Sequence, residues 1–494
     1  MKRILGVMGA GGLILAAVLA GHFGLTRAQI AALPVVTAAS FGVVCDGSTD
    51  DAGNMQTAIT NSAGAHEILQ LPQNKTCLIG TQLNMPSNTF IEGQGFGSVL
   101  KFNWVNNSAG GGSHYLAAQP GDDNVTLTNF TVNGASNGVP SGMDSQNTGN
   151  SKPMAAVRFT SCTNSTVDGI QIENNTGVGL SYQDCQHMLI ENNSVHNTGR
   201  DGITGFISVA PTLSYITVTG NTISNVGDDS IAFDVSRTGS APPGLATHIT
   251  VTNNAITGWG TNPSTAPNNG STCTGGCQLG RGIALNGVNG AVVMGNTLAN
   301  TYDDGILMSG CTVSWCGAAN APGCTMPCNS FPDTNIVVKG NTFTNIGNAL
   351  AGSSEGGTKS FGIDVFNGAA PITVASNQVS VASNNTLGGI LDPGFTCTGG
   401  CSIQSTSGAT PGTPAGVSFA KSGSHCVLTW SPPAGSVTGY VVLVTDSQGG
   451  SSTQIVTSPN TSFHGPTGVV YSAAVAALTA DSVGVPTSSV TCTQ

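Results

Sequence analysis

The chain has 494 residues, of which 7 % are charged and 39 % hydrophobic, with 69 glycines and a formal net charge of −11. That hydrophobic share excludes a disordered chain, which needs low hydrophobicity with high charge. The acidic balance argues against nucleic acid or an anionic membrane surface as partner, and sparse charge with much Gly, Asn, Ser and Thr suits β-structure with many turns.

The first residues read as an export signal. Lys2 and Arg3 form a basic start, Ile4 to Ala20 an apolar run, and Ala20 or Ala28 a small-residue cleavage end. Residues 1–28 are therefore expected to be a leader. The rest is expected to be extracellular or periplasmic, with no membrane partner after cleavage. Fourteen cysteines in an exported chain read as disulfides. The short pairings expected are Cys273/Cys277, Cys311/Cys316, Cys324/Cys328 and Cys397/Cys401; the longer ones are Cys45/Cys77, Cys162/Cys185 and Cys426/Cys492. Zinc is the rival for Cys311 to Cys328, but C-x4-C and C-x3-C are poor spacings for a zinc knuckle.

The stretch "ASFGVVCDGSTDDAGNMQTAI" predicts a short amphipathic helix, with Met55, Ala58 and Ile59 on one face and Asp50 or Asp51 as its cap. The following "EILQLPQNKTCLIG" and its continuation to "SVLKF" alternate apolar and polar residues as strands do. This opening resembles the entry segment of the pectate-lyase-like right-handed parallel β-helix superfamily, in the branch related to glycoside hydrolase family 28. There an "FGA-x-GDG-x-TDD" phrase precedes a capping helix that covers the open end of the solenoid. Phage tail spikes share that opening, so the resemblance implies architecture and leaves the chemistry to the coils.

From about residue 124 to about 390 one phrase returns six times: "ENNSV", "GNTIS", "TNNAI", "GNTLA", "GNTFT" and "SNQVS", carrying Asn193, Asn221, Asn254, Asn296, Asn341 and Asn377. A core phrase that persists while its spacing drifts through 28, 33, 42, 45 and 36 residues marks a solenoid with loops of varying length. The Asn column itself reads as a structural ladder of stacked amides. A second column stands ahead of a Gly/Ser-Ile pair in "GRDGITG", "GDDSIAF", "GRGIALN", "YDDGILM" and "SFGIDVF": Asp201, Asp229, Arg281, Asp304 and Phe361, with Asp228 beside Asp229. In parallel coils adjacent slots lie about 4.8 Å apart. Two carboxylates at that distance repel by about 3–4 kcal/mol at an effective dielectric near 20. Stability does not call for such a ladder; acid–base chemistry or metal binding does. Strict strand alternation would send Asp228 and Asp229 to opposite faces, so both reach one cleft only from a bend entering the strand.

The family 28 resemblance implies an active site built in order from "NTD", "DD", "GHG" and "RIK" coils. Here "GRDG" puts Asp201 at the first, "GDDSIAF" puts Asp228 and Asp229 at the second, and "GRG" puts Arg281 where a His is expected. "YDDG", with Asp303 and Asp304, replaces the uronate-gripping Arg-x-Lys, a departure that favours neutral sugars over pectin. The resemblance implies an inverting hydrolase with Asp228 as acid and Asp201 and Asp229 holding water. Long excursions at about 235–247, 258–279 and 311–334 surround the column. Trp259, Trp315 and Tyr302 in or beside them suit stacking on sugar rings, with Arg281, Asp303 and Asp304 as further substrate-binding residues.

Beyond the linker around "STSGATPGTPAG", the C-terminal part resembles a fibronectin type III sandwich, with Trp430 on an early strand, Tyr440 opening the next and Tyr471 at the corner position. The division expected is a parallel β-helix over 36–402, a linker over 403–413 and an all-β module over 414–494. The readings in order are a glycoside hydrolase with no cofactor, a Ca²⁺-dependent polysaccharide lyase or epimerase using Arg281 as base with Asp201, Asp229 and Asp304 on the ion, and a non-catalytic carbohydrate-binding or adhesin-like solenoid. The partner expected is a polysaccharide or oligosaccharide, and the chain is expected to be a monomer.

Overall fold

The computed structural model describes residues 27–103, 114–134, 155–175, 177–207, 213–235, 246–257, 281–301, 304–308 and 333–346, shorter pieces from 362 to 404, and most of 412–494. Residues 1–26 of the expected leader, Trp259, Tyr302, Asp303, Trp315, Phe361 and the four short cysteine pairings lie wholly or partly outside the described residues.

Three parallel sheets of twelve, eleven and nine strands run along the chain. Each complete coil gives one strand to each sheet, so neighbours within a sheet come from successive coils. Ser214–Thr219 pairs in parallel with Ala246–Thr252 in the first sheet, and Thr222–Val226 with Ala255–Thr257 in the second. The interior is filled by aliphatic stacks in strict register. Ile190, Val218, Val251, Val293 and Val338 line the first sheet, and Val195, Ile223, Ile256, Leu298 and Phe343 the second. All are buried, and each contributes about 1.5–3 kcal/mol of burial.

The repeated Asn phrase is the turn between these two sheets. Asn193, Asn221, Asn254, Asn296, Asn341 and Asn377 form one ladder, each Nδ2 donating to the next residue's Oδ1 at 2.9–3.0 Å. Each Oδ1 from Asn221 onward also accepts the backbone N–H of the preceding rung, and each Nδ2 donates to a strand carbonyl such as Val167 or Ile190. The residue ahead of the ladder is Asn192, Gly220, Asn253, Gly295 and Gly340 in turn, every one with φ between 55° and 68°. That left-handed conformation is what Gly and Asn tolerate best, and it is why the phrase alternates "NN" with "GN".

The expected helix spans Ala52–Ala65 and buries Met55, Ala58, Ile59 and Ala63 over the first coils. Asp51 stands at its cap position, but its carboxylate turns back to accept the N–H groups of Val44 and Cys45 at 2.7 and 2.8 Å. Asp50 instead accepts the N–H of Ala52 at 3.0 Å and that of Gly80 at 2.9 Å, tying helix to coil. The pairs Cys45–Cys77, Cys162–Cys185 and Cys426–Cys492 are disulfides.

The C-terminal residues form a three-stranded and a four-stranded antiparallel sheet around their own core, in which Trp430 meets Tyr440 edge-on with ring centroids 5.0 Å apart. One apolar seam joins this unit to the solenoid: Val292 and Val337, outward on the first sheet, pack with Ala476. Among the described residues no helix is long and apolar enough to cross a membrane.

Candidate active site

The third sheet carries the acidic column. Its strands here are β1 (Val157–Thr160), β2 (Leu180–Gln183), β3 (Ile203–Ile207), β4 (Ile231–Val235), β5 (Ile283–Asn286) and β6 (Ile306–Met308). Ile203, Ile231, Ile283 and Ile306 are in register and point into the core. Two residues before each stand Asp201, Asp229, Arg281 and Asp304, in one row. The backbone confirms the row: Gly202 donates to the Asp229 carbonyl at 3.0 Å, Ser230 to Arg281 at 2.9 Å and Gly282 to Asp304 at 3.0 Å.

Between row and strand the chain bends sharply. A Cβ on Gly202 would sit 2.7 Å from the Ser230 carbonyl and 2.8 Å from Ile223 Cγ2, and one on Gly305 2.5 Å from Phe343 Cδ1. Glycine therefore lets the entering chain press against the second sheet. Because the bend precedes β4, strand alternation does not yet apply to Asp228 and Asp229, and both reach the same cluster.

Carboxylate oxygens of Asp201, Asp228 and Asp229 all lie within 4.8 Å of one another, and the three residues are only 3 %, 6 % and 7 % exposed. Two cations flank them. Arg200 Nη2 is 3.6 Å from Asp228 Oδ2, and Arg281 Nη1 is 3.5 Å from Asp229 Oδ1, which also accepts the Arg281 backbone N–H at 3.3 Å. Asp228 Oδ1 is buried without a hydrogen-bond partner among the described residues. Burial, then the charges of Asp201 and Asp229, push the Asp228 carboxyl well above the usual carboxylate range. Burial raises Asp201 to about 7 against the pull of Arg200, and raises Asp229 against the pull of Arg281. A cluster of this kind holds a proton at neutral pH while keeping a basic carboxylate beside it.

Asp304 is buried one coil beyond Arg281, but it is not part of the described group of converging carboxylates. The set that could hold a cation is thus Asp201, Asp228 and Asp229 rather than Asp201, Asp229 and Asp304. Two arginines already neutralise part of its charge. Reading the sequence missed Asp234, outward on β4 in register with Phe206 and Asn286. Its Oδ1 accepts from Asn286 Nδ2 at 2.5 Å, and burial followed by the charge of Asp229 pushes it up to about 6. It also missed Arg200, although the phrase "GRDG" contains it; the signal was a cation directly before the first acid.

Residues 120–277 match the family model described as right handed beta helix region. No curated protein sequence matches the chain. Among solved structures, the ORF18 protein of Geobacillus virus E2 is 13 % identical with a TM-score of 0.50, over 92 % of this chain and 76 % of that one. The chain is a right-handed parallel β-helix. Two further similar structures are an exopolygalacturonase from Thermotoga maritima (16 % identity, TM-score 0.45, 75 % of this chain and 91 % of that one) and the catalytic unit of a family 87 α-1,3-glucanase from Streptomyces thermodiastaticus (19 %, 0.47, 76 % and 70 %).

Proposed function

We propose that the chain is a secreted polysaccharide-degrading glycoside hydrolase whose reaction is carried out by Asp201, Asp228 and Asp229. The observation that supports this reading is the convergence of three buried carboxylates within 4.8 Å at the mouth of the third sheet, each with a raised pKa. Burying three acids together costs stability, and the fold does not need them there.

Asp228, held protonated by its neighbours, gives its proton to the leaving glycosidic oxygen. Asp201 and Asp229 take a proton from the attacking water as the bond to the anomeric carbon forms. Arg281 keeps Asp229 closer to ionisation, and Arg200 does the same for Asp201. We favour single displacement, with inversion, on basicity. A nucleophilic carboxylate works ionised and weakly basic, whereas a general base works best with a pKa near the working pH, as at Asp201. The carboxylate spacing points the other way, being nearer the roughly 5–5.5 Å of retaining pairs than the 6.5–9.5 Å of inverting ones. The anomeric form of the first product separates the two.

The same carboxylates could chelate Ca²⁺ in a lyase, which is the second reading. We place the C-terminal unit as a fibronectin type III-like spacer and the leader as the export signal. The test is incubation with neutral and acidic polysaccharides, with and without chelator. New reducing ends, chelator-insensitive and free of the ultraviolet absorbance of an unsaturated sugar, are expected. Chelator-sensitive unsaturated ends would replace the hydrolase with the lyase.

A further inference from the structure

The third sheet carries a second charged feature outside the acidic cluster. Arg158 leaves β1 on the outward face, opposite Ser181 of β2, which is opposite Thr204 of β3. Its Nη1 donates to Ser181 Oγ, its Nη2 to Gln183 Oε1, and its Nε to Thr160 Oγ1 at 3.3 Å. Its Cζ stands 6.0 Å from the centre of the Phe206 ring. Every one of these contacts is neutral, and among the described residues no carboxylate lies within ion-pair distance of the guanidinium. Asp184 acts on it only through space. Burial draws the pKa of Arg158 down to about 10. Neighbouring His114 is pushed down to about 4, by burial first and by the Arg158 charge second, so it contributes no anion and no competing cation at neutral pH.

A guanidinium fixed by three neutral acceptors, largely out of water and with no counter-charge in contact among the described residues, costs stability. Its planar fork matches an oxyanion. Arg158, Gln183 and Phe206 keep part of their surface exposed, so the feature is open to a ligand. From Arg158 the backbone distance to Asp201 is about 14 Å, from two strand spacings and three residues of rise. Phe206 lies two residues beyond Thr204 on β3, on the side away from Asp201, in the row Gln183, Phe206, Asp234. A glycan running from the carboxylates along the outward face of the third sheet meets the Arg158–Phe206 pair at its far end.

We propose that Arg158 and Phe206 form a distal subsite that takes a sugar bearing an oxyanion substituent, a carboxylate or a sulfate ester, several residues from the bond cleaved. This rests on reading the carboxylate cluster as the cleavage site. Phe206 stacks on the ring while Arg158 turns part of its fork to the anion, with Ser181 and Gln183 holding its plane. Asp304 in place of a cationic pair beyond Arg281 leaves the sugar there neutral, so the preferred glycan carries its charge at one end of the cleft.

The test uses the full chain carrying Asp228→Asn, which binds without cleaving. The probes are 1,4-linked gluco- and galacto-configured trisaccharides, each as the neutral sugar, the C6 carboxylate and the C6 sulfate, titrated by calorimetry at low and high salt. An anionic form binding about ten-fold or more tighter than its neutral counterpart is expected, with the advantage shrinking in salt. Arg158→Gln removes that advantage, so that the variant binds anionic and neutral forms alike. The better of the two anions identifies the substituent. If Arg158→Gln does not fold, Arg158→Lys is read instead and should lose several-fold of the anion advantage. Equal binding of neutral and anionic forms, an advantage that survives both variants, or no binding of any probe overturns the proposal. Hydrolysis lost in Asp228→Asn without anion preference leaves the cleavage reading standing and this subsite refuted; anion preference with no hydrolysis of any substrate does the reverse.

Discussion

Replacing Asp228 by Asn removes one proton donor and almost nothing else. Full charges 4.8 Å apart repel by about 3.5 kcal/mol at an effective dielectric near 20, so Asp228 ionised beside Asp201 and Asp229 meets about 7 kcal/mol of repulsion. Arg200, 3.6 Å away, returns about 5 kcal/mol at the same dielectric and Arg281 offsets more, so that burial, the largest cause, decides the balance against ionisation. Asp228 is therefore neutral in the resting protein, and an Asn of the same shape replaces a neutral acid. Turnover on a confirmed substrate should fall by a factor of about 10²–10⁴, with the melting temperature unchanged or slightly raised. The assay is initial rate of reducing-end release beside a thermal melt of the same preparation. A turn-capping Asp would behave the other way, keeping activity and losing about 1 kcal/mol of stability. That second pattern would refute the assignment and make Arg281→Ala the next variant to examine.

Three further outcomes follow from the same geometry. Asp201, whose folded pKa is raised to about 7, binds more protons folded than unfolded between about pH 4 and 7, so its contribution to stability is complete below that window and lost as pH rises through it. The melting temperature should be higher at pH 5 than at pH 8, and Asp201→Asn should flatten the difference; a melt that rises with pH would contradict the raised pKa. Asn254→Ala deprives the Asn221 backbone N–H and Nδ2 of their shared acceptor, so urea denaturation should show a loss of about 2–4 kcal/mol with turnover per folded molecule preserved. Ending the chain at residue 404 uncovers Val292 and Val337 and should lower the solenoid's melting temperature by a few degrees, while activity on soluble oligosaccharide persists; loss of the parallel sheets by circular dichroism would make the C-terminal unit part of the core.

The solenoid was legible because one turn repeats under tight chemical constraint. A left-handed residue followed by a fully bonded amide admits few substitutions, so "NN" and "GN" recur while loops drift. The acidic column was legible because it sits a fixed step ahead of a core Ile in each coil, and the bending glycine beside it resists change. Arg158, Phe206, Asp234 and Asn286 were not legible. They occupy outward positions inside the strands, where the apolar pattern of the core does not constrain side-chain type, and β1 precedes the first of the six phrases by which the coils were aligned. The capping Asp pair shows the same limit: the sequence names both residues, but only the loop's path decides that Asp51 ties Val44 and Cys45 while Asp50 serves the helix.

The central claim is that water attacks a glycosidic bond at this carboxylate cluster, and the direct measurement is cleavage in ¹⁸O-enriched water followed by mass spectrometry of the products. One solvent oxygen in every new reducing end, abolished together with product in Asp228→Asn, is the predicted result. Products that carry no label and are lighter by one water, the signature of elimination, would contradict it.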